Sequence, residues 1–177
     1  MKSAAAKMPE ASRSGFGQRL KRSLPDPVEA FVGGAVWAAA MAASAFVAIL
    51  MQEWETSAKI QSIAVLFALG GALSFPLALL AARFLSLGRS GEAAFAAAFF
   101  SFAAVTVSVT GLIFAFDYRT YYSEWHADAG SITWVFQLVF TTLAALYQFA
   151  VLGVRLLFPV GFIALFAVSL WFARMPR

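Results

Sequence analysis

Residues 93–116 read AAFAAAFFSFAAVTVSVTGLIFAF, 24 positions in a row without a charged side chain. A helix rises about 1.5 Å per residue and the hydrocarbon core of a bilayer is about 30 Å thick, so about 20 such residues suffice to cross it. This stretch is a membrane span, and the rest of the chain agrees. Of its 177 residues 62% are hydrophobic and only 12% charged, with a mean hydropathy of +0.79. Soluble domains carry about 25% charged residues. There is too little polar surface here to coat a globule in water.

Two further spans precede it. Asp26-Pro27-Val28-Glu29 has the order of a helix start, with Asp26 as N-cap, proline at the first helical position and Glu29 near the positive end of the dipole. The first span is expected over 28–51. After a loop holding Glu53, Glu55 and Lys59 comes the second, 60–82, where Pro76 predicts a kink. Arg83 and Arg89 lie in the next loop, before the span 93–116. The expected fold is all-α: a polytopic four-helix transmembrane bundle over residues 26–177, with five helices as the alternative, behind a basic cytoplasmic tail of residues 1–25.

The alternative arises in 132–173, where one straight helix would run to about 60 Å, too long for a simple crossing. One reading divides it into two spans, 132–154 and 156–173, with a tight turn at Gly153–Arg155. The preferred reading lays 132–147 on the outer surface and makes 148–173 the fourth span. It uses Thr133, Gln137, Thr141 and Gln148 as a polar face and puts Arg174 and Arg177 beside the basic tail, as the positive-inside rule favours.

That rule also orients the chain, because Lys2, Lys7, Arg13, Arg19, Lys21 and Arg22 crowd the start. The tail is no secretory signal peptide, since the apolar run behind it is a full span without a cleavage signal; it has the arginine- and serine-rich look of a transit peptide but is read as retained. Phe16, Leu20 and Leu24 recur every fourth residue among the basic ones, the pattern of a short interfacial helix. Arg19, Lys21 and Arg22 are candidate contacts to anionic lipid headgroups. The formal charge of +4 is concentrated there rather than spread over a face, so nucleic-acid binding is not expected.

The counts also exclude chemistry. Without cysteine there are no disulfides, thiolate metal sites or cysteine nucleophiles, and the single histidine, His126, supplies neither a multi-histidine metal site nor a paired haem ligation. No phosphate-binding glycine loop occurs; Gly70-Gly71 sits inside an apolar run and is a packing signal. No metal, cofactor or catalytic residue is expected. The first three spans hold no midplane Asp, Glu or Lys, the groups that ion-coupled carriers use.

Small residues at helical spacing mark expected packing seams: Ala35, Ala38, Ala42 and Ala45 in the first span, Ala64, Gly71, Ser74, Ala78 and Ala81 in the second, and Ala94, Ala97, Ser101, Ala104, Ser108 and Gly111 in the third. Such residues let backbones approach where lipid provides no hydrophobic contrast. Phe95, Phe99 and Phe102 are placed away from the third seam, facing lipid, a pigment or quinone, or a neighbouring helix. The stretch 116–128 contains Asp117, Tyr118, Arg119, Tyr121, Tyr122, Glu124, Trp125, His126 and Asp128, an aromatic belt at headgroup depth that doubles as a docking surface. Arg155 is the one charge far from a clear loop, a candidate intramembrane charge.

No motif here is specific enough to name a family. The expected role is a non-catalytic accessory subunit of a larger membrane complex, placed in a bacterial inner membrane with the N-terminus cytoplasmic. Its partners would be other membrane subunits and anionic lipid. The first alternative is a homo-oligomeric channel or carrier lined by Ser101, Thr106, Ser108 and Thr110. The second is a membrane enzyme acting on lipid through Asp117, Glu124, His126 and Asp128.

Overall fold

Asp26 opens the first long helix as expected. Its Oδ1 accepts hydrogen bonds from the backbone N–H of Val28 at 2.9 Å and of Glu29 at 3.4 Å, and Pro27 occupies the first turn. A computed structural model describes residues 15–52 and 57–175, and every element among them is helical. The helices are α1 (Phe16–Ser23), α2 (Pro27–Leu50), α3 (Ser57–Ser86), α4 (Gly91–Tyr122), α5 (Ile132–Gln148) and α6 (Val160–Ala173). Lys2, Lys7, Arg13, Glu53, Glu55 and Arg177 lie outside the described residues. The fold is an all-α polytopic membrane bundle in which α2, α3, α4 and the segment Ile132–Leu157 are each long and apolar enough to span.

Gly70 and Gly71 set the bundle's spacing. One turns to α4, where a Cβ would collide with the side chain of Thr110. The other turns to α2, where a Cβ would come within 2.9 Å of the Ala38 Cα and 3.0 Å of the Trp37 carbonyl oxygen. Pro76, expected to kink its helix, lies inside an α3 assigned without a break. Its missing N–H leaves the carbonyl of Ala72 without its usual helical donor, and that oxygen lies against Gly34 of α2.

On α3, Gly71, Ser74 and Ala78 of the expected seam are buried, and Ala64 and Ala81 are half-buried. On α2 and α4 the buried stripe is rotated from the small-residue repeat. Gly34, Trp37, Met41, Ser44, Ala45 and Ala48 face inward on α2, whereas Ala35 is exposed and Ala38 and Ala42 lie at the stripe's edge. On α4 the inward set is Ala94, Ala98, Ser101, Phe102, Thr106, Thr110, Gly111 and Ala115; Ala97 is half-buried, and Ala104 and Ser108 face outward. Large side chains displaced the alanines: Trp37, Met41 and Phe102 remove more area from contact with lipid and fill the space between three helices. Phe102 is thus core, not lipid-facing, in edge-to-face contact with Trp37 and Phe75.

At the tail end the Arg83 Nη2 reaches both carboxylate oxygens of Glu29 at 2.7 Å, and its Nη1 donates to the Leu24 carbonyl at 3.4 Å. This half-buried pair ties the start of α2 to the end of α3. The short helix α1 docks beside it, with Phe16 on Phe84 and the Arg19 guanidinium 5.1 Å from the same ring. Phe16, Leu20 and Leu24 stay exposed, as an interfacial helix requires.

The contacts of α5 and α6 decide between four and five crossings. Along α5, Trp134 lies by Arg119 and Phe149, just past its end, by Phe114 and Gly111, so α5 runs back from the C-terminal end of α4. Along α6, Phe162 meets Phe99, Phe166 meets Phe95 and Ala173 reaches Gly91, which continues the same direction. Two antiparallel spans would reverse it. The two helices therefore make one broken crossing, and Arg174 ends on the side of α1. The α-helical part of this run ends at Gln148, next to the division expected at residues 147 and 148, but the chain stays helical as a π and a 3-10 turn to Leu157 and breaks only at Phe158–Pro159, where proline has no N–H to offer. The third span is also longer than 93–116, α4 running to Tyr122.

Gly71→Ala should cost about 1–3 kcal/mol, because the added methyl meets backbone that cannot yield. Ala104→Leu on the exposed face should stay within about 0.5 kcal/mol. Thermal unfolding in one detergent compares the two, and an equal loss would contradict the rotated stripe.

Candidate functional site at the broken crossing

After Gln148 the helix loosens into a π turn at Phe149–Gly153, tightens into a 3-10 turn at Val154–Leu157, and leaves helical geometry at Phe158, whose bond to Pro159 is cis. Glycine makes the loosening sterically feasible: the Phe149 ring lies against Gly111 and Gly153, and a Cβ at either would run into it. The break lies well inside the bundle, since Ser44 beside it is six residues before the end of α2. No water solvates backbone at that depth, so every N–H and C=O freed by the break needs a protein partner. Ser44 serves two of them. Its hydroxyl donates to the Leu156 carbonyl at 2.9 Å and accepts from the Gly161 N–H at 2.9 Å. One fully buried side chain thus ties the segment before the break and the start of α6 to α2.

A second polar layer crosses the bundle nearby. The Trp37 indole N–H donates to Thr106 Oγ1 at 3.0 Å, Thr106 and Ser74 share a hydrogen bond at 3.2 Å, and Ser74 reaches the Gly71 carbonyl at 3.0 Å. Helices α2, α3 and α4 are thereby pinned in register. The Ser101 and Thr110 hydroxyls are buried on the same α4 face without a hydrogen-bond partner among the described residues. Of the hydroxyls proposed to line a channel, Ser101, Thr106 and Thr110 therefore face the packed interior and only Ser108 faces out.

Between α2, α4 and the broken segment lies an apolar cleft of about 240 Å³. Trp37, Met41 and Phe102 form its floor, Val154, Leu157 and Gly161 one wall, and Phe158 and Phe162 its exposed mouth. Arg155 sits on the turn that carries Val154 and Leu157. Its side chain is exposed and no acidic partner reaches it among the described residues.

The opposite end of α4 is an aromatic cluster rather than an irregular loop. Tyr118 and Tyr122 approach to 4.7 Å, Tyr121 and Trp125 to 5.7 Å, and the Arg119 guanidinium lies 6.0 Å from the Trp134 ring. His126 is committed inward, its Nε2 3.3 Å from the Thr141 hydroxyl, and Gln137 Oε1 accepts from the Ala127 N–H at 2.8 Å. Of the polar face expected on α5, Gln137 and Thr141 bond the preceding turn, while Thr133 and Gln148 are exposed. Asp117, Glu124 and Asp128 are exposed, and no three acidic or histidine side chains converge among the described residues. At the tail end Lys21 and Arg22 are exposed, in keeping with a headgroup contact.

Phe95 and Phe99, expected to face lipid, a pigment or quinone, or a neighbouring helix, receive the chain's own α6. Sequence reasoning missed Ser44, Trp37 and the Glu29–Arg83 pair. A tryptophan in mid-span was the available signal, because the indole N–H favours membrane interfaces and must find an acceptor when it lies deeper. Comparison with known protein families, with curated proteins and with solved structures finds no match to this chain.

Ser44→Ala leaves the Leu156 carbonyl and the Gly161 N–H unpaired at membrane depth and should destabilise by about 1–3 kcal/mol. Amide exchange at Gly161 should speed up while that of the α3 core stays slow. Unchanged exchange at Gly161 would show that another group satisfies the break.

Proposed function

We propose that the chain is a non-catalytic subunit of a larger membrane assembly, and that it docks its neighbours through α5 and the aromatic end of α4. The observation that carries this reading is the bareness of α5. Only 11% of the apolar window in Ile132–Leu157 is buried inside the molecule, against 33–39% for the other three spans. Among the described residues α5 packs chiefly on α4 and leaves Phe136, Phe140 and Tyr147 uncovered, and Tyr121 and Trp125 at the end of α4 are exposed as well. Aromatic side chains of this kind anchor protein interfaces, since they bring large area at little entropic cost.

The polar layers support a structural role. Trp37, Ser74 and Thr106 bond one another, and Phe102, Met41 and Leu79 close the space around them, so the protomer's centre is filled rather than conductive. A channel would have to form between protomers, where Ala35, Ala104 and Ser108 are among the exposed small residues. A lipid-modifying enzyme would draw on Asp117, Glu124, His126 and Asp128, of which His126 is engaged with Thr141. The basic end is assigned to the cytoplasm of a bacterial inner membrane, on the positive-inside rule.

Gentle extraction from the native membrane should yield stoichiometric polypeptide partners. Phe136→Ala with Phe140→Ala should weaken their retention about tenfold or more, while the unfolding temperature of the isolated chain stays constant. A chain that leaves the membrane only as itself would contradict the assignment.

A further inference from the structure

We propose that the cleft at the broken crossing holds one hydrocarbon chain of an anionic phospholipid from the surrounding bilayer, with the lipid's phosphate paired to Arg155. The cleft's chemistry selects the chain. The Trp37 N–H and the Thr106 hydroxyl on its wall are bonded to each other at 3.0 Å, so neither is free for a polar solute. An apolar cavity of about 150 Å³ stays dry and accepts a benzene ring; this one, at about 240 Å³, takes a longer hydrocarbon. Its mouth lies between Phe158 and Phe162, which are 64% and 50% exposed on the lipid-facing side. The molecules that meet that mouth in a membrane are acyl chains.

Arg155 selects the headgroup. An unpaired guanidinium among apolar side chains is costly, and a phosphate matches its planar fork of donors. Ser44, which bonds the residue next to Arg155, lies six residues, about 9 Å, below the end of α2. The long arginine stem bridges much of that distance to headgroup level. A carboxylate from a partner helix would satisfy Arg155 but leave the cleft empty; a zwitterionic lipid would fill the cleft, but its own ammonium competes with Arg155 for its phosphate. An anionic amphiphile meets both needs without that competition, and it does so whether or not α5 docks a partner.

The test uses the full chain in nanodiscs of phosphatidylcholine with a minor share of phosphatidylglycerol, then detergent transfer and native mass measurement of what stays bound. One phosphatidylglycerol should be retained, enriched about tenfold or more over its share of the bilayer, as a charge-assisted contact implies. Arg155→Gln should return the bound lipid to the bulk ratio without emptying the cleft, and Arg155→Lys should keep the preference. Ala103→Phe or Val107→Phe, each filling the cleft from α4, should remove bound lipid of both kinds. Helical content and unfolding temperature confirm that each variant is folded. The proposal is overturned if the wild type retains no lipid, or if Arg155→Gln retains phosphatidylglycerol as the wild type does. It is equally overturned if Arg155→Gln releases a polypeptide from the native extract while the lipid count is unchanged.

Discussion

The Ser44 hydroxyl is the contact on which the second half of the molecule depends. At membrane depth a backbone N–H or C=O has no water to fall back on, so a chain that breaks its helix there must bring a replacement partner. Ser44 acts as donor to one side of the break and acceptor to the other. With that clamp, α6 turns along the first half of α4, where Phe95 and Phe99 meet Phe166 and Phe162. Without it, the simplest way to satisfy the same backbone is a straight helix too long for the bilayer.

The remaining polar groups obey the same constraint with a different result. Trp37, Thr106 and Ser74 form a chain of hydrogen bonds across three helices, and the glycines at 70 and 71 let those helices come close enough for it. Interhelical hydrogen bonds of this kind average only about 0.6 kcal/mol in membranes, so their main effect is on register rather than stability. The bulk of the attraction comes from Phe102, Met41 and Leu79, which dispersion holds against their neighbours. The break interrupts this packing and leaves the cleft.

Much of this was legible in the residues. Uncharged runs of 20 or more positions have one physical solution in a bilayer, so three spans and the Asp26 cap followed directly. The contacts added what composition lacks. A repeat of alanines marks a face that can approach a neighbour, but Trp37 and Phe102 sit beside it and gain more by burial, which rotated the stripes of α2 and α4. The fourth crossing was harder, because the apolar run between Asp128 and Arg174 is too long for one straight span and Arg155 is the one charge inside it. Polar residues on α5 read as a surface helix; two of them, Gln137 and Thr141, bond the turn that precedes it. The Glu29–Arg83 pair joins residues far apart in the chain, and only the antiparallel run of α2 and α3 brings them together.

Sidedness tests the broken crossing most directly. The chain has no cysteine, so Arg22→Cys, Asp128→Cys and Arg174→Cys each introduce one reporter for a membrane-impermeant maleimide applied to sealed vesicles of known orientation. The account predicts that positions 22 and 174 react from one side and position 128 from the other. If 174 reacts together with 128, α6 is a fifth crossing and the clamp at Ser44 does not hold two halves of one span.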